Sequence, residues 1–322
     1  MPGQTNNLKK LVCVMSTNYS GSTVLGAILG NHSKAVFLGE PALIVRRRPD
    51  GDWRHHRFCA VCSAAGTQHT CPVWGDASVA AIRKDPDRVY QIAAEQLRDA
   101  TTFIDASKDM DWLRASATRV EDAVCVHLVR PVEAHVASVL TRRKRQSHAI
   151  EVLAARWAAG NLEIERTCAT LRMPYKLVRY GDFVSNPANS LAELAPLTGL
   201  NPEPNQHEFW HKPTHFVKSN PGVLTHYDRE LVAREPGLNR DLYEQNHRRL
   251  FVDEKWREML TAQQIARLYA SPQVHEVSER FGLLGSRRSE RAPSSLARAQ
   301  AHATLGISLV VGAVYSRLNS KR

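Results

Sequence analysis

The segment 11–30, LVCVMSTNYSGSTVLGAILG, constrains the fold more than any other part of the chain. Its apolar start predicts a buried strand over 11–15, which leads through a small polar loop at 16–22 into a helix from about Thr23. Such a loop points several backbone N–H groups at one spot, and the helix N-terminus adds partial positive charge there. The segment therefore predicts a strand–loop–helix unit with a site suited to a phosphate or a sulfate.

The loop by itself leaves its role open, because many strand–turn–helix units use Ser and Gly only to cap the helix. A Walker A loop is disfavoured, since no Lys follows Gly21 at the position that such a loop requires. A second feature is therefore needed to assign an anion to this place.

The segment 124–140 supplies that second feature. Its apolar run predicts another buried strand that ends at Arg130, with Pro131 in the first turn of a helix and Ser138 in the second turn. Ligands of parallel α/β sheets gather outside the carboxyl ends of the strands, so Arg130 can lie beside the first loop. Its guanidinium fork and the Ser138 hydroxyl suit a second phosphate. The alternative is a surface arginine paired with Glu133.

The alternation of strand and helix patterns predicts an α/β fold of three layers, with a mostly parallel central sheet, helices on both faces and a P-loop-like nucleotide-binding core. The predicted strands lie near 10–16, 35–38, 101–106, 123–129 and 175–180. The predicted helices lie near 23–31, 86–99, 109–118, 131–143, 147–172 and 187–198, and another is expected from Thr261. The segment 201–250 is rich in Pro, His and Asn and is expected to form a loop over the site.

The first two segments together resemble the sulfotransferases that use 3′-phosphoadenylyl sulfate (PAPS). That family has a Ser-Gly-Ser/Thr-Thr loop for the 5′-phosphosulfate and a later Arg…Ser pair for the 3′-phosphate. Three further segments are similar to its glycan, bacterial and tyrosyl-protein branches: FLGEP at 37–41, FIDASKD at 103–109 and YKLVRYGDFVSNP at 175–187. The resemblance covers about residues 10–200, in the expected order, and continues more weakly through 215–221 and 252–260.

The resemblance implies an enzyme that moves a sulfuryl group in line from PAPS to a hydroxyl of a glycan, lipid or small metabolite, with no metal required for the chemistry. Glu40 would be the general base, and Lys108 would meet the charge on the bridging oxygen. Donor binding is implied for eight residues: Tyr19, Ser20, Gly21, Ser22, Thr23, Arg130, Ser138 and Tyr180. Should Glu40 not be the base, His215 is the first alternative.

Two positions depart from the family pattern. Tyr19 stands where most relatives carry Arg or Lys, so a phenol that brings no charge replaces a cation. Gly181 stands where Glu is usual, although Tyr180, which resembles the residue near the adenine, is present. Two other functions stay open. One is a P-loop-type nucleotide kinase or phosphotransferase, although the Lys that it requires after Gly21 is absent, and the other is a non-catalytic nucleotide-binding module, which Tyr19 favours.

The predicted domains are a sulfotransferase domain over 1–286 and a tail over 287–322, made of a basic linker and a short apolar helix. The formal net charge of +11 favours an anionic ligand, and no recognisable module indicates nucleic acid as a partner. A polar N-terminus without a secretory signal predicts a cytoplasmic protein. The apolar run 304–315 is shorter than the ~20 residues that span a bilayer, so it could pack on the domain, pair with another chain or contact a membrane surface.

The cysteines form two groups. Cys13, Cys125 and Cys168 lie in apolar patterns and are expected to be buried thiols, whereas the others belong to a Cys-rich insertion at about 45–76. Four potential ligands in that insertion make a zinc site a weak candidate: Cys59, Cys62, His69 and Cys71. Free thiols and a disulfide are the alternatives.

Overall fold

The computed structural model describes residues 8–46, 59–142, 149–212, 214–218, 220–230 and 240–284. Within them, five strands form one sheet: β1 (Lys10–Met15), β2 (Ala35–Gly39), β3 (Thr102–Asp105), β4 (Ala123–Val129) and β5 (Tyr175–Arg179). The strand order is β2-β3-β1-β4-β5, and each neighbouring pair is parallel. The predicted strands and the parallel α/β fold are confirmed.

The helices up to residue 198 are α1 (Ser22–Gly30), α2 (Ala42–Val45), α3 (Ala60–Ala64), α4 (Asp76–Lys84), α5 (Val89–Gln96), α6 (Met110–Arg119), α7 (Val132–Arg142), α8 (Ile150–Thr170), α9 (Tyr180–Ser185) and α10 (Pro187–Thr198). The later helices that the structure describes are short: Leu224–Tyr227, Arg240–Gln245, Trp256–Met259, Ala262–Tyr269 and Pro272–Arg280. One-turn 3-10 helices lie at Gln68–Thr70, Pro86–Arg88, Phe209–His211 and Pro221–Val223.

The central strands are buried on both faces, which explains why their sequences are continuous apolar runs. Leu11, Cys13 and Met15 of β1 belong to the core on the side of α6 and α8. Val12 and Val14 belong to the core on the side of α1 and α10. The sheet is therefore the middle of three layers, as expected.

The strand order places a topological switch point between β1 and β4. The chain runs from β1 toward β2 on one side of the sheet and from β4 toward β5 on the other. A crevice forms outside the carboxyl ends of two such strands, where open α/β sheets bind their ligands. The loop at 16–21 and Arg130 both follow directly from these strand ends.

Some parts of the chain differ from expectation or fall outside the described residues. The helix expected from Thr261 is two helices, because Pro272 begins a new one. The segment 47–58 of the Cys-rich insertion and the whole tail over 287–322 lie outside the described residues. Among the residues that are described, none of the helices combines the length and the apolar character needed to cross a membrane.

Candidate functional site

A cavity of about 480 Å³ opens at the switch point. Its wall brings together nine of the ten residues that sequence reasoning assigned to catalysis or donor binding: Tyr19, Gly21, Ser22, Thr23, Glu40, Lys108, Arg130, Ser138 and Tyr180. The tenth, Ser20, is buried in the loop, where its hydroxyl lies 3.0 Å from that of Thr17. Residues from five separate segments thus converge on one space.

The first loop turns into α1 through two residues with left-handed backbone, Tyr19 (φ 65°) and Gly21 (φ 96°). Gly21 contacts the ring of Tyr180 so closely that an added Cβ would overlap the ring. No described side chain caps α1, and its first turn carries no acidic residue. This N-terminus therefore fits an anion better than the alternative in which Ser and Gly merely cap the helix.

Glu40 and Lys108 form an ion pair in the wall of the cavity, although 68 positions separate them in the chain. The Lys108 Nζ donates to Glu40 Oε1 at 2.7 Å and to the carbonyl of Ala106 at 3.0 Å. Only 11% of the Lys108 side chain and 16% of the Glu40 side chain are exposed. A carboxylate and an ammonium group are thus held side by side in the wall of one cavity.

Asp105 organises the turn that carries Lys108. Its carboxylate accepts hydrogen bonds from the Ser107 N–H (2.7 Å), the Trp112 indole (2.8 Å) and the Tyr90 hydroxyl (2.7 Å). Burial raises the pKa of Asp105, and these hydrogen bonds oppose the rise. The aspartate of the Asp-x-Ser-Lys motif is therefore a buried structural residue that fixes the turn before the lysine.

Arg130 links three parts of the cavity wall. Its Nη1 donates to the carbonyl of Tyr19 at 3.2 Å and to Ser138 Oγ at 3.3 Å, while its Nη2 donates to the carbonyl of Asp253 at 2.8 Å. The guanidinium carbon lies 5.6 Å from the centroid of the Tyr180 ring. Because Arg130 is 7% exposed, the alternative of a surface arginine is wrong.

The wall also contains residues that the sequence reasoning did not single out. Lys218, Asn220, Asp253 and Lys255 line the cavity. The Asn220 N–H donates to Thr23 Oγ1 at 3.4 Å, which joins this later wall to the first loop. Their only sequence signal is the weaker similarity at 215–221 and 252–260.

A second cavity, of about 350 Å³, shares Asn18, Tyr19 and Lys108 with the first. Its wall is made mainly by α8 and the loop at 16–19, and it includes His135, Arg156 and Glu163. Burial lowers the pKa of His135 to about 4, so this imidazole is neutral near pH 7. The two cavities share the loop that carries Tyr19 and therefore adjoin each other.

The cysteines of the insertion meet a different histidine from the one expected. Cys59, Cys62 and Cys71 surround His215, whereas His69 is largely exposed and its Nδ1 lies 3.1 Å from Asp76 Oδ1. The predicted fourth ligand, His69, is therefore wrong, because the folded chain brings 214–218 over the insertion. With its Nδ1 turned to three sulfur atoms, His215 does not fit the role of an alternative base either.

Comparisons with known proteins bear on the family and the fold of the chain. A model of the sulfotransferase family matches residues 12–204, which is more than half of the chain. No curated protein matches the chain.

Two solved structures share the fold. The sulfotransferase domain from the curacin biosynthetic pathway is 15% identical with a TM-score of 0.57, and the match covers 85% of this chain and 98% of that domain. The sulfotransferase domain of the Synechococcus PCC 7002 olefin synthase is 18% identical with a TM-score of 0.55, covering 88% and 98%. The chain belongs to the sulfotransferase family.

Proposed function

We propose that this protein transfers a sulfuryl group from PAPS to a hydroxyl of a glycan, a lipid or a small metabolite. The observation that carries the proposal is the convergence of three features on one cavity: the anion loop, the Arg130–Ser138 pair and the Glu40–Lys108 pair. Each feature meets one need of the reaction. The loop offers a site for the 5′-phosphosulfate, and the Arg130–Ser138 pair offers a site for the 3′-phosphate. The Glu40–Lys108 pair offers a base for the acceptor proton and a cation for the charge on the leaving group.

The donor would lie along the switch point. Its phosphosulfate fits the N-terminus of α1, where Ser22 and Thr23 supply hydroxyl and backbone donors. Its 3′-phosphate fits Arg130 and Ser138, which are already hydrogen-bonded to each other. The Tyr180 ring lies against Gly21 and near Arg130, which suits contact with the adenosine part of the donor, whose ribose joins the two anion sites.

The transfer requires little covalent chemistry from the protein. The acceptor oxygen forms a bond to sulfur while the bond from sulfur to the 5′-phosphate oxygen breaks, and adenosine 3′,5′-bisphosphate leaves. Glu40 takes the acceptor proton as general base. Lys108, 2.7 Å from Glu40, meets the negative charge that grows on the bridging oxygen.

A transfer assay tests this function. Labelled PAPS is incubated with the protein and a panel of glycan, lipid and small hydroxyl acceptors. We expect labelled sulfate esters and an equal amount of adenosine 3′,5′-bisphosphate. Transfer of phosphate from ATP to members of the same panel, without transfer of a sulfuryl group from PAPS, would instead support the nucleotide kinase alternative.

The missing cation at Tyr19 leads to a prediction about donor affinity. Lys108, Lys218 and Lys255 line the cavity, but Lys108 is paired with Glu40 and Lys255 with Asp253, so an added cation should be felt by an anionic ligand. Replacing Tyr19 with Arg adds a guanidinium at the phosphosulfate, so the affinity for adenosine 3′,5′-bisphosphate should rise by about tenfold in calorimetry. Tyr19→Phe, which adds no charge, is the matched control. An affinity of Tyr19→Arg equal to that of Tyr19→Phe and of the unchanged protein would show that the donor does not lie against this position.

The close packing of Gly21 on Tyr180 gives a second prediction. Gly21→Ala adds a Cβ that overlaps the Tyr180 ring and strains a left-handed backbone by about 1–2 kcal/mol, so binding of adenosine 3′,5′-bisphosphate should be lost. The control is Gly181→Ala. Gly181 is the second residue of α9, and a Cβ added there meets no atom within 4 Å. If calorimetry gave both variants the affinity of the unchanged protein, the anion would lie elsewhere.

A further inference from the structure

Three cysteines and one histidine meet in a part of the protein that the proposed transfer does not use. The thiols of Cys59, Cys62 and Cys71 and the imidazole of His215 each offer one ligand atom, and all four atoms lie within 4.8 Å of one another. The three cysteines are buried, and none of them forms a disulfide. Their convergence joins the Cys-rich insertion to a segment more than 140 residues away.

The spacing of these atoms matches a tetrahedral zinc site. The Nδ1 of His215 lies 3.6 Å, 3.3 Å and 3.5 Å from the sulfur atoms of Cys59, Cys62 and Cys71. Zinc bonded to sulfur at ~2.3 Å and to nitrogen at ~2.0–2.1 Å in a regular tetrahedron gives sulfur–nitrogen edges of about 3.6 Å. The side chains are therefore already arranged around a point that one ion can occupy.

The surrounding backbone favours thiolate ligands. The Cys62 N–H donates to Cys59 Sγ at 3.4 Å, and the Trp74 N–H donates to Cys71 Sγ at 3.3 Å. The Trp74 indole donates to the carbonyl of His215 at 2.9 Å, which fixes the residue that brings the imidazole. Such hydrogen bonds from outside the ligand set orient the ligands of a metal, and the N–H donors stabilise the negative charge on its sulfur atoms.

We propose that Cys59, Cys62, Cys71 and His215 bind one Zn²⁺ ion in a closed structural site. Three thiolates and one imidazole are a ligand set that selects zinc over magnesium or calcium. All four positions of the tetrahedron are filled by the chain, so the ion has no open position for water or substrate. Its role is to hold two segments together, and it does not contact the reacting groups of the proposed sulfuryl transfer.

Through the backbone beside His215, the ion would help to position Glu40 in the wall of the cavity. The carbonyl of Val217 accepts a hydrogen bond from the Glu40 N–H at 2.9 Å, and the carbonyl of Phe216 accepts one from the Ala60 N–H at 2.7 Å. The segment 214–218 is thus held between the end of β2 and the start of α3. Fixing His215 to the insertion fixes the strand-like pairing from which Glu40 extends into the cavity.

Metal content of the full chain tests the proposal without any donor or acceptor, so its outcome is independent of the proposed transfer. Protein made in zinc-supplemented medium and then dialysed should contain one zinc ion per chain, measured by inductively coupled plasma mass spectrometry. After exchange with Co²⁺, it should show the visible bands of tetrahedral cobalt and a sulfur-to-cobalt charge-transfer band. A protein without zinc whose Cys59 and Cys62 form a disulfide would overturn the proposal.

Variants identify the fourth ligand. His215→Ala should lose most of the zinc, and His215→Cys should keep it with a stronger charge-transfer band, which guards against a variant that simply fails to fold. His69→Ala is the matched control, because His69 lies in the same insertion beside Asp76, and it should keep one zinc per chain. Loss of zinc from His69→Ala with full retention in His215→Ala would overturn the assignment.

Discussion

Replacing Glu40 with glutamine is expected to lower turnover by about 10²–10⁴ while the affinity for the donor barely changes. Glutamine keeps the shape of the side chain and can still accept a hydrogen bond from Lys108, whose Nζ lies 2.7 Å from Glu40 Oε1. It cannot take the acceptor proton. The measurement is a steady-state comparison on one accepted hydroxyl substrate, together with calorimetry for adenosine 3′,5′-bisphosphate.

The matched control for this variant is Glu203→Gln. Glu203 is also a partly exposed carboxylate, but it accepts hydrogen bonds from Ser33 and does not line the cavity. It should keep normal turnover. Near-normal turnover in Glu40→Gln as well would defeat the assignment of Glu40 as the base.

Replacing Arg130 with glutamine should lower the affinity for adenosine 3′,5′-bisphosphate by about 10- to 100-fold, because hydrogen bonds to a charged group contribute about 1.5–3 kcal/mol. The affinity for 5′-AMP, which lacks the 3′-phosphate, should change far less. Calorimetry with both ligands separates this loss from general damage to the cavity, where Arg130 also holds the carbonyls of Tyr19 and Asp253.

Arg114→Gln is the control for the arginine, because Arg114 pairs with Asp111 on the surface of α6, away from the cavity wall. It should bind both nucleotides like the unchanged protein. An equal loss of affinity for both nucleotides in Arg130→Gln would mean that Arg130 shapes the cavity and does not read the 3′-phosphate.

Most of the fold was predictable from the sequence because its signals are local. Buried parallel strands are continuous apolar runs, as in β1 and β4, and each is followed by its own loop or helix start. Since parallel strands end at the same edge of the sheet, Arg130 could be placed beside Gly21 without knowledge of any contact. The roles expected for Glu40 and Lys108 came from the family resemblance alone, and their ion pair was not predicted.

The parts that were missed depend on contacts between distant segments. His69 was considered as a fourth ligand because it belongs to the same insertion, although its spacing from Cys71 is tight. In the structure His215 lies beside the three sulfur atoms instead, because 214–218 pairs with the end of β2. Lys218 and Lys255 reach the cavity from a region with little periodic pattern. No local rule predicts how such a region folds back over a sheet.

The most direct test of the proposed function compares nucleotide binding by the unchanged chain, with no acceptor present. At a concentration a hundredfold above its dissociation constant, adenosine 3′,5′-bisphosphate should stabilise the protein by about 2.7 kcal/mol in a thermal unfolding experiment. At the same concentration, 5′-AMP and ATP should stabilise it much less, because neither carries the 3′-phosphate for Arg130 and Ser138. Equal stabilisation by 5′-AMP, or greater stabilisation by ATP, would contradict the proposal that this cavity binds PAPS.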